Sequence, residues 1–205
     1  MWLIALLGCY ERVVMDVRVD AGRRTIEVLS QQQGLDQDVG GTRCEAAADC
    51  LQALRDQLAE ERQQLGDAGA TDIRNGVFLR DGELDLVTRY SAPYTSSLFA
   101  GGAPVQVVQR ERRGAQRPVA IVFDAPDGAG ERSTISFTGP HTSYDLGELG
   151  RMTTLPRGRP RVHIEHQLRS DGADVVVEPW VASVPGLVEA IGGSGLLLDP
   201  AGLVP

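Results

Sequence analysis

Apolar and polar residues alternate from Glu11 onward, the period of a strand with one buried face. Val13, Met15, Val17 and Val19 fall on one side. Ile26 and Val28 join them if the chain turns at Ala21-Gly22 and Asp20 pairs with Arg23. Gln31-Gln32-Gln33-Gly34 and an acidic loop through Asp38 end this hairpin, and the period changes. Leu51, Leu54, Leu58 and Leu65 recur at helical spacing, which predicts one long helix over roughly Glu45 to Leu65. Arg55, Asp56, Glu60, Glu61 and Arg62 are expected to face away from the core, and Gly66-Asp67-Ala68-Gly69 closes the helix. Asp81-Gly82 is the strongest two-residue turn signal in the chain. It pairs Arg80 with Glu83 and lays Val77, Leu79, Leu84 and Leu86 on one face.

The stretch from Tyr90 to Pro104 is rich in turn formers and is the candidate boundary between two subdomains, 9–92 and 105–205, unless the two form one continuous domain. Beyond it Val105 to Val108 and Val119 to Phe123 read as strands around Arg110-Glu-Arg-Arg-Gly-Ala-Gln-Arg117. A third strand runs through Ile135 and Phe137 after the Pro126-Asp127-Gly128 turn, and another spans Arg161 to Leu168. Asp171-Gly172 turns the chain into Val175-Val-Val177. Pro185 and Gly192-Gly193 bound a short helix, and the tail from Leu196 to Pro205 is apolar enough to dock onto the body or a partner. The class these elements predict is α+β: antiparallel hairpins forming one or two sheets, packed by one long helix and one short C-terminal helix.

Composition changes the picture in two ways. With 205 residues, 42% of them hydrophobic, the chain can build a real core in one domain or two small ones. Its net charge of −8 argues against nucleic acid as a partner, because such binding is dominated by neutralising phosphates.

Candidate chemistry is sparse. If Thr42 caps the long helix with Glu45 as its box partner, Cys44 and Cys50 lie on one helix, about 9 Å apart along its axis, and cannot bond. If Asp49 is the cap, with Gln52 as partner, Cys44 sits in the preceding loop and can fold back onto Cys50. A metal site is not expected, since two cysteines without a nearby histidine lack the ligand count, and no cofactor is implied. The segment 138–146 alone gathers His141, Ser143 and Asp145. A nucleophile, however, needs a base within hydrogen-bond reach, and Thr142 or Ser143 can equally cap a short turn through Leu146 and Leu149. His163 and His166, three apart on a strand, fall on opposite faces, which leaves His166 on the core side with Ile164 and Leu168. Arg110, Arg112, Arg113 and Arg117 crowd one hairpin tip and could grip a phosphate, a carboxylate or anionic headgroups, and Arg157, Arg159 and Arg161 form a second basic patch.

The first nine residues carry the remaining signal. Trp2-Leu3-Ile4-Ala5-Leu6-Leu7 is an apolar run ending in Gly8-Cys9, with an aliphatic residue, Leu6, three before the cysteine and a small one, Gly8, just before it. This resembles the lipobox that ends a bacterial lipoprotein signal peptide. The resemblance implies that residues 1–8 are removed and that Cys9 is acylated on its sulfur and its new amino group. It further implies an anchor on the membrane surface, and Tyr10 in place of aspartate points to the outer membrane. The function expected on that basis is a non-enzymatic envelope lipoprotein that binds an envelope protein or an anionic ligand. The alternatives are a buried first strand from Trp2 to Leu7 in a cytoplasmic protein, and a small enzyme using the 138–146 loop.

Overall fold

The computed structural model describes residues 12–35, 38–39, 42–101, 103–123, 131–139, 143–145, 151–154, 159–170, 173–174 and 184–199. The apolar run, Cys9 and His141 lie outside them, as do Val175 to Val177 and the end of the tail.

The chain is α+β. A seven-stranded antiparallel sheet is built from β1 (Arg12–Asp20), β2 (Thr25–Gln33), β5 (Thr71–Arg80), β6 (Glu83–Pro93), β9 (Glu131–Thr138), β12 (Arg161–Ser170) and β13 (Ala173–Asp174). Its order is β13-β12-β1-β2-β6-β5, with β9 also paired to β12. A second, four-stranded sheet runs β10 (Ser143–Asp145), β11 (Arg151–Thr154), β8 (Ala115–Phe123), β7 (Val105–Arg112). A two-strand ribbon, β3 (Asp38–Val39) with β4 (Thr42–Arg43), leads into α1 (Ala47–Asp67), and α2 (Leu187–Gly192) comes near the end.

One face of the large sheet is buried, as the alternation predicts, and it carries Val13, Met15, Val17, Val19, Ile26, Val28, Leu84, Leu86, Val162 and Ile164. Two bodies share it. Over β5 and β6 lies α1, whose Leu54 and Leu58 cluster with Val77, Leu84, Leu86 and α2's Leu187 and Ile191. Over β1, β12 and β9 lies the second sheet, whose Val105, Val107, Ile121 and Phe123 join Val17, Val19, Ile135 and Val162 in one core. The opposite face is charged: Arg89 and Arg18 meet Glu27, Arg12 meets Glu165, and His163 Nδ1 lies 2.9 Å from Asp16 Oδ1.

The Asp81-Gly82 hairpin has the expected register, with Arg80 opposite Glu83 and both turn residues at positive φ. The first hairpin does not. Asp20 pairs with Thr25 rather than Arg23, because its Oδ1 accepts the backbone N–H groups of Gly22 and Arg23, both at 3.0 Å, and Arg24 turns left-handed. Those hydrogen bonds, with Arg159 3.1 Å away, hold the Asp20 carboxyl below its ordinary pKa. The loop is thus two residues longer and every pairing shifts by two, an even number, so Ile26 and Val28 stay on the buried side.

Neither Thr42 nor Asp49 caps α1. The cap position is Ala46, with no side-chain hydrogen bond, which leaves Cys44 in the loop and bonded to Cys50 with the Cα atoms 5.3 Å apart. A crosslink over so short a loop stabilises by about 2 kcal/mol, and it fixes the helix start where no capping side chain does. Ser143, with Tyr144 and Asp145, forms β10, paired to β11, and the turn through Leu146 and Leu149 lies outside the described residues.

The tail docks as expected, and by a specific device. Val77 N–H donates to Leu196 O and Leu198 N–H to Val77 O, both at 3.0 Å, so the tail lies along the outer edge of β5. Gly76 makes room for it: a Cβ there would sit 2.5 Å from Leu196 O and 2.7 Å from Leu198 Cγ. Gly76→Ala is therefore expected to displace the tail and cost about 1–3 kcal/mol, read as a lower urea midpoint and faster hydrogen exchange at Leu198. An unchanged midpoint would show that the tail is not held there.

Candidate functional site

Helix spacing puts Glu61 where the pattern of leucines leaves a gap, three residues after Leu58 and four before Leu65. The expectation that Glu61 faces away is thus corrected: it turns toward the sheet with the leucines, while Glu60 and Arg62 stay exposed. Register on the sheet brings it polar company. Beyond Ile26 and Val28 the buried face of β2 continues with Ser30 and Gln32, and Ser30 lies opposite Thr88, which lies opposite Asn75. Apolar on either side, the inner face is polar along this one row.

Glu61 Oε2 accepts the Thr88 hydroxyl at 2.7 Å and the Asn75 amide at 3.1 Å. The same Asn75 amide donates to Leu58 O at 2.6 Å, tying β5 to the helix backbone, and Arg62 Nη2 donates to Asn75 Oδ1 at 2.8 Å. Burial pushes the Glu61 carboxyl above its ordinary pKa, against the lowering effect of Thr88, Asn75 and Arg62. Burial, reinforced by the nearby Glu61 charge, also raises the Tyr90 hydroxyl, so it stays protonated.

Glu61, Thr88 and Tyr90 line a cavity of about 270 Å³ between α1, the sheet and the connection to β7. Met15, Val28, Leu65, Phe99 and Val105 give it apolar walls, and Ser30, Gln32, Glu61, Thr88 and Tyr90 give it a polar side. The connection is shaped by a 3₁₀ turn, Ser97–Phe99, capped by Ser96, whose hydroxyl also donates to Ala68 O and so fastens the connection to the end of α1. Two lining side chains are incompletely satisfied by the protein. Gln32, only 5% exposed, has no partner for Oε1, and Ser30 none for Oγ. A buried polar atom left in this state costs about 1–3 kcal/mol, and most such atoms in folded proteins have a partner.

The residues singled out from sequence lie elsewhere. Ser143 and Asp145 sit on the short strand β10 at the edge of the second sheet, and His141 is not among the described residues. Arg110 and Arg117 face each other across β7 and β8, and Arg113 with Gly114 forms the tip, with Arg110, Arg113 and Arg117 exposed. Arg112 pairs with Ala115 at backbone level. Of the second patch, Arg159 is committed to Asp20, Arg161 is exposed, and Arg157 lies outside the described residues. His163 is on the charged face beside Asp16, and position 166 pairs with Val13. Among the described residues no cluster of three metal-ligating side chains occurs, and no helix is long and apolar enough to cross a membrane.

Sequence reasoning missed the cavity, although two signals pointed to it. The apolar face of the first hairpin gives way to Ser30 and Gln32 without a change of period, and a glutamate interrupts the leucine stripe. Compared with protein-family models, curated proteins and solved structures, the chain matches none.

Proposed function

We propose that this chain is a non-enzymatic binding protein of the bacterial cell envelope, lipidated on Cys9, and that the cavity beneath α1 takes a small apolar ligand. The observation that carries the binding role is the pairing of apolar walls with the unpartnered Gln32 Oε1 and Ser30 Oγ, the usual make-up of a small-molecule site. The anchor rests on Leu6, Gly8 and Cys9, and the Cys44–Cys50 disulfide supports an oxidising compartment. With β1 starting at Arg12, the body would ride close to the headgroups.

Each half has its own test. Labelled palmitate is expected to enter the wild type and not Cys9→Ser; equal incorporation rejects the anchor and favours the cytoplasmic alternative. An apolar naphthyl dye is expected to brighten on binding the wild type. Ala68→Phe, which fills the cavity, should weaken that binding about tenfold, a difference of about 1.4 kcal/mol. A dye that does not bind, or binds both proteins alike, rejects the cavity as the ligand site.

A further inference from the structure

We infer that the cavity selects an apolar molecule carrying an amine, its ammonium held by the Glu61 carboxylate and the carbonyl of Gln32. This rests on the reading of the cavity as a ligand site and names the chemistry it would accept.

A carboxylate can accept about four hydrogen bonds, and the protein supplies Glu61 with those of Thr88 and Asn75, both to Oε2. Gln32 Oε1 is an acceptor without a donor, and Ser30 Oγ can serve as either. The two donors that reach Glu61 are committed: the Thr88 hydroxyl to Glu61, and the Asn75 amide to Glu61 and Leu58 O. Gln32 Oε1 and the Glu61 carboxylate therefore keep acceptor capacity that Thr88 and Asn75 do not fill, and a primary ammonium brings three donors.

Charge gives the same answer independently. Among the described residues that line the cavity, Glu61 is the one with a carboxyl group, and none is an arginine, lysine or histidine. The basic neighbour of Glu61 is Arg62 on its own helix, exposed and donating to Asn75 Oδ1 rather than lining the cavity; the other titratable group facing it is Tyr90, on β6. An anionic head would thus meet a carboxylate with no cation in the wall to offset it, while a cationic head completes a charge-assisted pair away from bulk water. A cavity of about 270 Å³ also limits the tail to a short chain or one small ring system.

The test titrates the full chain with octylammonium, octanol and octanoate at pH 7, reading displacement of the naphthyl dye. Octylammonium is expected to bind about tenfold more tightly than octanol, the scale of one charge-assisted hydrogen bond, and octanoate most weakly. Glu61→Gln keeps an acceptor for Thr88 and Asn75, and it should erase the preference for the amine over octanol. Should that variant fail to fold, the wild type carries the same test. Its amine-to-alcohol ratio must shrink as acid neutralises Glu61, because the ligand ammonium stays charged throughout. Octanoate equal to octylammonium, or a preference that survives loss of the Glu61 charge, overturns the inference. Octanol binding without amine preference sinks this inference alone, whereas failure of all three and of the dye sinks the cavity reading with it.

Discussion

Phe123→Ala is expected to lower the unfolding free energy by about 3–5 kcal/mol, a large share of the 5–15 kcal/mol typical of a folded domain. Phe123 is fully buried on β8 of the smaller sheet, and its ring meets that of Phe137, on β9 of the larger one, edge to face at 5.4 Å and 86°. Around this pair the core mixes residues of both sheets, from Val17 and Val19 to Val105 and Ile121. The loss should therefore appear as one cooperative urea transition moved to lower concentration. A change below about 1 kcal/mol would show that the cavity left behind collapses easily. Two separate transitions in the wild type would show instead that 9–92 and 105–205 fold as independent subdomains.

Asp85→Ala should cost about 2–4 kcal/mol, for a different reason. Asp85 is fully buried on the face of β6 away from the cavity, where Oδ1 accepts the Gly34 N–H at 3.2 Å and Oδ2 accepts Gln31 Nε2 at 2.9 Å and Arg80 Nε at 3.1 Å. One carboxylate thus pins the chain leaving β2, a side chain of β2 and the end of β5. Alanine strands three donors at once, of which the guanidinium, over a third exposed, can return to water. Asp85→Asn preserves the shape without the charge, and about 1–2 kcal/mol is expected for it. Hydrogen exchange at Gly34 and at Leu35, whose N–H donates to Leu84 O, should quicken in the alanine variant. Equal stability of alanine variant and wild type would refute the pinning role.

The parts legible in the sequence were those set by neighbours along the chain. Asp81-Gly82 dictates its own turn, and the alternation from Val13 to Val19 marks a buried face whichever strand lies beside it. The leucines of α1 announce a core-facing helix, and the disulfide was legible as one of two alternatives. What escaped was set by contacts across space. Glu61 read as a solvated charge because its sequence neighbours, Glu60 and Arg62, are solvated; only the polar row Ser30, Thr88 and Asn75 on the sheet opposite makes its burial tolerable. The first hairpin slipped because a side chain, Asp20, rather than a turn dipeptide sets the loop. Strand order was beyond reach for the same reason, since no local pattern says that residue 15 will lie beside residue 164.

That last pairing governs when the protein can finish folding. β1 takes β2 as one neighbour within a few residues, but its other neighbour, β12, is made roughly 150 residues later, Met15 beside Ile164. During synthesis the first strand waits with one side open until almost the whole chain has emerged, and long-range closure of this kind slows folding. A nascent chain stalled before residue 160 would lack the β1–β12 seam, and α1 would lack its packing against Leu187 and Ile191.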